Sequence, residues 1–453
     1  MSEDWDFVKA KIDYMSHGFH IYPARMIPQV AEKLISKFYD PKLEGKLILD
    51  PFCGSGTVLV EALLKNIDAV GIDLNPLAVL LAKAKTTPIE PNRLYTTFIK
   101  LWNDIKKDVL KEDWIKIEKL LVKINKSKNN KEKTRIFEEV ENICKNLGAE
   151  IPDILNTNLL YWFKPTTIKD LIIIKKHLSK IQDDEERCFF NVCFSATIRA
   201  VSGTRKDEFK LYRIPEKEWE KFAPMTFDIF KNKTLDNISK MAEFYNAVKN
   251  NKARAYIFKA DTRNLFSEKS PAELAKILKE NSVNLIVTSP PYGDSHTTVA
   301  YGQFSRYSLV WLGYEKKDIW KIDKESLGGI EKDDKIESET LNSILKKIEN
   351  KSRVREVKSF FIDLGICLEK LSKALTPNGH ACFVLGNRTV CGYRIPTDKI
   401  LVELSKPLGL IHVETYYRNI PYKRIPWKGS PTNISGQKVE TISKESIVIL
   451  KKV

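Results

Sequence analysis

The stretch LILDPFCGSGTVLVEAL, residues 47–63, decides the fold of this 453-residue chain. Its first apolar run ends at Asp50, a Gly-containing turn follows, and a second apolar run begins at a capping Thr57. That order reads as strand, turn and helix. Gly54 and Gly56 carry no Cβ, so the backbone can turn tightly there and lie close to a ligand. Amides that open a helix point at polar atoms lying above the turn. A second acid, Asp73, closes the next apolar run, AVGID, and an acid roughly 20 residues beyond such a turn suits the ribose hydroxyls of an adenosine-type cofactor.

Working outward, short apolar runs bounded by turns repeat along the chain: KLILD (46–50), AVGID (69–73), AYIFKA (255–260), NLIVTS (284–289), HACFVLG (380–386), LIHVETYY (410–417) and SIVIL (446–450). They read as buried strands. Helical patterns at 57–66, 76–85 and 359–375 alternate with them. The expectation is an α/β fold, a Rossmann-like doubly wound sheet of seven mostly parallel strands. No long helical pattern separates the last two runs, which predicts an antiparallel C-terminal hairpin at the edge. Residues 86–252 and 304–358 do not fit the alternation. The first is too long for a loop in a compact sheet and reads as a mostly helical insertion, with a solvated Lys-rich piece at 123–135. The second reads as a smaller insertion. The core is then 1–85 and 253–453.

The cofactor follows from what the turn lacks. A dinucleotide fingerprint needs a third small residue where Leu59 stands, and Asp50 at the strand end would repel a pyrophosphate. A cationic cofactor without phosphate, S-adenosylmethionine, suits that acid. At an effective dielectric near 20, unit charges 4 Å apart interact by about 4 kcal/mol, so the sign of the residue matters. A glycine turn that only closes a strand–helix corner stays open at this point.

The fourth run ends in NLIVTSPPYGD (284–294). Two prolines lock φ and remove two backbone donors, which leaves the Pro290 carbonyl a free acceptor on a rigid turn. Ser289 adds a hydroxyl, and Tyr292 adds an aromatic face. Acceptors beside a stacking ring form a receptor for an aromatic ring bearing an NH2 group. Open α/β sheets bind ligands at the carboxyl ends of their strands, so this turn should adjoin the glycine loop. A Pro-Pro pair that merely stops a strand is the plainer alternative.

Together these motifs resemble those of the DNA amino-methyltransferases, which methylate the exocyclic nitrogen of cytosine (N4) or adenine (N6). DPFCGSGT (50–57) is similar to the cofactor signature and TSPPY (288–292) to the catalytic one. HGFHIYPARMIPQVAEKLI (17–35) resembles the segment that helps hold the methionine end of the cofactor, and ADTRNL (260–265) places Asp261 where the family has an acid near the adenine amine. The resemblance implies cofactor contacts from Tyr22, Pro23, Arg25, Asp50, Phe52, Gly54, Gly56, Thr57, Asp73, Asn75 and Asp261. It implies a catalytic turn of Ser289, Pro290, Pro291 and Tyr292. Serine in first position is typical of the N4-cytosine group, whereas Asp or Asn is typical of the N6-adenine enzymes.

The expected reaction is direct methyl transfer to a cytosine flipped out of duplex DNA, at an unstacking cost of a few kcal/mol. No Cys follows the prolines, which disfavours attack through a thiolate. His17 and His20 receive no proton-transfer role. The chain carries 75 Lys and Arg against 59 Asp and Glu, a surplus of +16, which agrees with a polyanionic partner. Candidate DNA contacts are Arg205, Arg306, Arg418, Lys423 and Arg424, and the first insertion is the candidate recognition subdomain. The seven cysteines are scattered and form no zinc-spaced cluster, so no metal is expected. No run approaches the roughly 20 apolar residues of a membrane span, and MSEDWDFVKA lacks the apolar centre of a secretory signal. A monomeric cytoplasmic enzyme is expected, with a separately encoded restriction endonuclease sharing its target site. An N6-adenine enzyme, an RNA base methyltransferase, a non-catalytic DNA-binding protein and a nicotinamide oxidoreductase are the alternatives.

Overall fold

The computed structural model describes residues 4–206, 209–293, 299–420, 428–429, 439–440 and 443–453. Seven strands form the central sheet: β1 (Leu47–Asp50), β2 (Ala69–Asp73), β3 (Ala255–Lys259), β4 (Val283–Thr288), β5 (Leu375–Gly386), β6 (Leu410–Asn419) and β7 (Lys444–Lys452). They correspond one for one to the seven apolar runs. Their order across the sheet is β3-β2-β1-β4-β5-β7-β6. The pairs β1–β2, β1–β4, β2–β3 and β4–β5 are parallel. β7 is antiparallel to both neighbours, β5 and β6. The expected hairpin is present, but its returning strand lies inside the sheet: β7 inserts between β5 and β6. A helix, Thr397–Ser405, joins β5 to β6.

Both faces of the sheet are covered, which is why its central strands are mostly apolar; β4 is buried at all six positions, Asn284 and Thr288 included. Side chains alternate between faces. Ile447 and Ile449 of β7 pack with the layer of α1 (Pro28–Phe38), α2 (Thr57–Leu64) and α3 (Pro76–Thr86). Val448 and Leu450 pack with the helices Ala272–Ile277, Lys351–Ala374 and Thr397–Ser405 on the other face.

Residues 86–252 are helical. The main helices are Pro91–Asp108, Glu112–Lys126, Asn130–Asn146, Pro165–Leu178, Asp184–Val201 and Thr226–Val248. They are not hung from the sheet as a separate body. Their core is continuous with Val60 and Leu63 of α2 and Leu77 and Leu81 of α3. The stretch 304–358 divides between two cores. Phe304, Trp311 and Ile319 join the helical body, whereas Leu327, Ile336 and Leu341 join the far face of the sheet.

Candidate active site

A cleft opens at the carboxyl ends of β1, β2 and β4. Its walls include Tyr22, Pro23, Asp50, Phe52, Gly54, Thr57, Asp73, Asn75, Asp261, Ser289 and Pro291. The glycine loop and the Ser-Pro-Pro-Tyr turn therefore meet as their positions at strand ends require.

The loop's backbone explains its glycines. Gly54 and Gly56 have φ of +48° and +85°, in the left-handed region. A Cβ on Gly56 would also stand 3.0 Å from the Cα of Ala82 in α3. Gly56, not Thr57, is the N-cap of α2, and among the described residues no side chain caps the opening amides. Thr57 is the first helical residue and its expected capping role is absent. An uncapped helix start facing a cleft keeps amide donors for a ligand.

Asp73 organises the loop. One carboxylate oxygen accepts from the Gly54 amide (2.9 Å), the other from the Asn75 amide (2.8 Å). Asp50 accepts from the Thr288 hydroxyl (2.7 Å) and the Phe52 amide (3.2 Å), so it ties β1 to β4. Burial pushes Asp50 up to about 7 and Asp73 up to about 6. Carboxylic acids at that poise are readily ionised by a cation placed beside them. Asn75 caps α3 through the Leu77 amide (3.0 Å) and donates to Ser305 (2.6 Å) and to the Tyr22 hydroxyl (3.2 Å). That bond holds the Tyr22 ring, which stacks on Tyr301 at 5.9 Å between centroids.

Arg25 and Asp261 reach the cleft with their charges already engaged. Arg25 donates to the His17 carbonyl (2.6 Å) and pairs with Asp13 (2.7 Å). Asp261 pairs with Arg263 (2.7 Å), which also holds Asp363 (2.8 Å). The two histidines are structural anchors: His17 meets Glu61 of α2 (2.7 Å) and His20 meets Ser195 (3.0 Å).

On the target side, Ser289 donates to the Tyr292 hydroxyl (3.3 Å), which donates to Glu445 of β7 (2.7 Å). Pro290 is buried. Arg418 is a correction to the expected DNA contacts. It is only 6% exposed, its guanidinium pairs with Glu445, and its Nε donates to the Trp5 carbonyl (3.1 Å). Its place late in β6, beside the inserted β7, turns it inward, away from any phosphate. Arg205 is exposed, whereas Arg306 is half-buried and stacks on Trp320 (4.5 Å). Lys423 and Arg424 lie outside the described residues.

Three site residues were not foreseen. Tyr301 lines the cleft, Thr288 holds Asp50 from behind its wall, and Glu445 supports its target side. Thr288 opens the TSPPY stretch, whereas Tyr301 belongs to no motif. Nothing in KESIVIL marks Glu445, because its role depends on which strands flank it. Cys53 also lines the cleft, but burial and the two nearby carboxylates hold its thiol well above the usual range, so it stays protonated. The arrangement can bind a cationic adenosine-like molecule on one side and present hydroxyl and carbonyl acceptors to an amine on the other.

The chain is similar to known proteins. A family model described as DNA methylase matches residues 4–84. The type II methyltransferase M.MvaI of Kocuria varians is 35% identical over 98% of this chain and 93% of its own length. The type II methyltransferase M.MjaII of Methanocaldococcus jannaschii is 25% identical over 72% of this chain and 67% of its own. Among solved structures, a putative DNA modification methylase from Thermus thermophilus, complexed with S-adenosyl-L-methionine, shares 17% identity over 43% of this chain and 53% of its own at a TM-score of 0.21.

Proposed function

The chain belongs to the type II DNA methyltransferases, and from that premise we propose that its target is the exocyclic N4 amine of cytosine in duplex DNA. The methyl donor is S-adenosylmethionine, which supplies an electrophilic methyl group on its sulfonium. The residues present fit it. Asp50 and Asp73 give two acids, and the Gly54–Gly56 loop gives close backbone approach without a Cβ in the way. The Tyr22 and Phe52 rings supply flat apolar wall.

The observation that carries the choice of amine chemistry is Ser289 in the wall of the acidic cleft, on a turn stiffened by Pro290 and Pro291. The target base leaves the stack and enters beside this turn. The Ser289 hydroxyl and the Pro290 carbonyl accept from the amine's N–H groups, which directs the nitrogen lone pair out of ring conjugation. The ring of Tyr292 stacks on the base. The remaining gain is proximity and orientation. The protonated Cys53 takes no part, so no covalent enzyme–base adduct forms. Serine, where N6-adenine relatives typically carry Asp or Asn, favours cytosine. The helical body 86–252 reads the DNA: Arg205 and Tyr212 are exposed on it, and Arg213 stacks on Tyr161 and Trp219 at 4.5 and 4.3 Å.

Nucleoside mass spectrometry of DNA from a host expressing the gene tests the reading. N4-methylcytosine is expected, and it should vanish with Tyr292→Ala. N6-methyladenine instead would move the base and leave the class. Unmodified DNA beside newly methylated RNA would overturn the DNA substrate.

A further inference from the structure

The reversed strand of the sheet brings a carboxylate to the catalytic edge. β7 runs antiparallel to β5, so its beginning, not its end, lies beside the carboxyl ends of the parallel strands. Glu445, its second residue, stands opposite Gly386 of β5 and Arg418 of β6. One carboxylate oxygen accepts from the Tyr292 hydroxyl at 2.7 Å and the other is held by Arg418. Both side chains of that ion pair are nearly buried, at 12% and 6% exposure. Arg418 is fixed in turn by the Trp5 carbonyl, and the next residue, Asn419, holds both oxygens of Asp6 (2.6 and 2.9 Å). A continuous chain of polar contacts thus runs from the N-terminal segment through Arg418 and Glu445 to Tyr292 and Ser289.

A tyrosine presented to a base from a loop has two free side-chain torsions. The adjacent Pro291 stiffens its backbone. The bond to Glu445 fixes the far end of the ring, so both torsions are set before a base arrives. Burial and Glu445 hold the phenol well above its usual range, so it stays a donor. We propose that Glu445, clamped by Arg418, is a positioning residue that orients the Tyr292 ring for the target base. Neither residue touches the cofactor cleft. The proposal rests on Tyr292 being the ring that receives the base.

The test measures single-turnover transfer of labelled methyl groups from S-adenosylmethionine to unmodified plasmid DNA, counting product at any base. Y292F keeps the ring and removes its hydroxyl, and with it both the bond to Glu445 and the one accepted from Ser289; E445A removes the Glu445 bond and leaves the Ser289 one in place. Each is expected to slow transfer between about 10- and 100-fold, as misplacement of a reacting group does. KM for S-adenosylmethionine should stay within about twofold of wild type, and the losses in the double variant should fall well short of multiplying, because the Tyr292–Glu445 bond is lost in both singles. E445Q keeps an acceptor for the phenol and is expected to recover most of the rate. Y292F at the wild-type rate, or losses that multiply in the double variant, would overturn the proposal. Should E445A fail to fold, Y292F and E445Q decide alone: a slow Y292F with a fast E445Q supports it, and the reverse sinks it. An active wild type with uncoupled variants refutes only this inference, whereas a wild type inactive on DNA refutes the function beneath it.

Discussion

Asp73 finds its partners nearby: Gly54 is 19 residues away and Asn75 is two. Tyr292 finds Glu445 153 residues away, and the Arg418 behind it reaches Trp5 across 413. The cofactor side of the cleft is thus built largely within β1-α2-β2-α3, from backbone amides and short acids. The target side is a relay of long side chains drawn from both ends of the chain. The Asp73 bonds lie within paired β1 and β2 and the turns that follow them, whereas Asp50 also needs Thr288 of β4. A relay needs the whole sheet closed, including the late insertion of β7. The two halves should therefore fail separately.

The largest effect expected is on Tyr292→Ala. Methyl transfer should fall at least about 100-fold, equivalent to roughly 2.7 kcal/mol, with S-adenosylmethionine affinity unchanged by calorimetry. An equal loss of cofactor binding would break the division between halves. Asp73→Ala is the opposite case. It strips the Gly54 amide of its acceptor, and S-adenosylmethionine should bind about 10- to 30-fold more weakly, or roughly 1.4–2 kcal/mol. In that variant a 2-aminopurine reporter in the DNA should still signal base flipping; loss of the signal would show that the halves are coupled.

Asp50 sharpens the comparison through pH. A bound cation favours its ionised form, and burial holds the free acid at about 7. Binding below that pH must expel a proton, so affinity should fall as pH drops through 7, by at most about tenfold per unit for one coupled group. The fall should steepen below 6, where Asp73 also takes up a proton. Asp50→Asn should flatten the first part of the profile; an unchanged slope would remove Asp50 from cofactor binding. The smallest effect is on Gly56→Ala. An alanine at φ +85°, pressed on Ala82, should cost about 1–2 kcal/mol in a denaturant titration. No measurable cost would mean that the loop relaxes freely.

The seven strands and the meeting of the two motifs were legible in the sequence because burial on both faces writes itself as short apolar runs, and because strand ends carry the ligand contacts. That Asp50, Asp73, Gly54 and Ser289 line one cleft was legible for the same reason. Arg418 was misread. In YYRNIPYKR it looks like one cation of a surface stripe, and only the pairing of β6 with β7 turns it inward. Glu445 was missed because a single acid at the start of a strand is ordinary unless the strand runs backwards. The insertion 86–252 was legible as helical but not in its placement. Amphipathic helices declare an apolar face without saying which face of which neighbour it meets, and here part of that neighbour is α2 and α3.

The sequence alone determined the α/β alternation, the acidic glycine turn, the Ser-Pro-Pro-Tyr turn and hence the chemistry on offer. These depend on period, turn residues and short-range spacing, which are local properties. Tertiary structure decided the position of β7, the fusion of the helical body to α2 and α3, and the clamp of Glu445 and Arg418 on Tyr292. Those depend on contacts between residues hundreds of positions apart, whose selection rests on the packing free energy of the whole sheet and on no local preference of either partner.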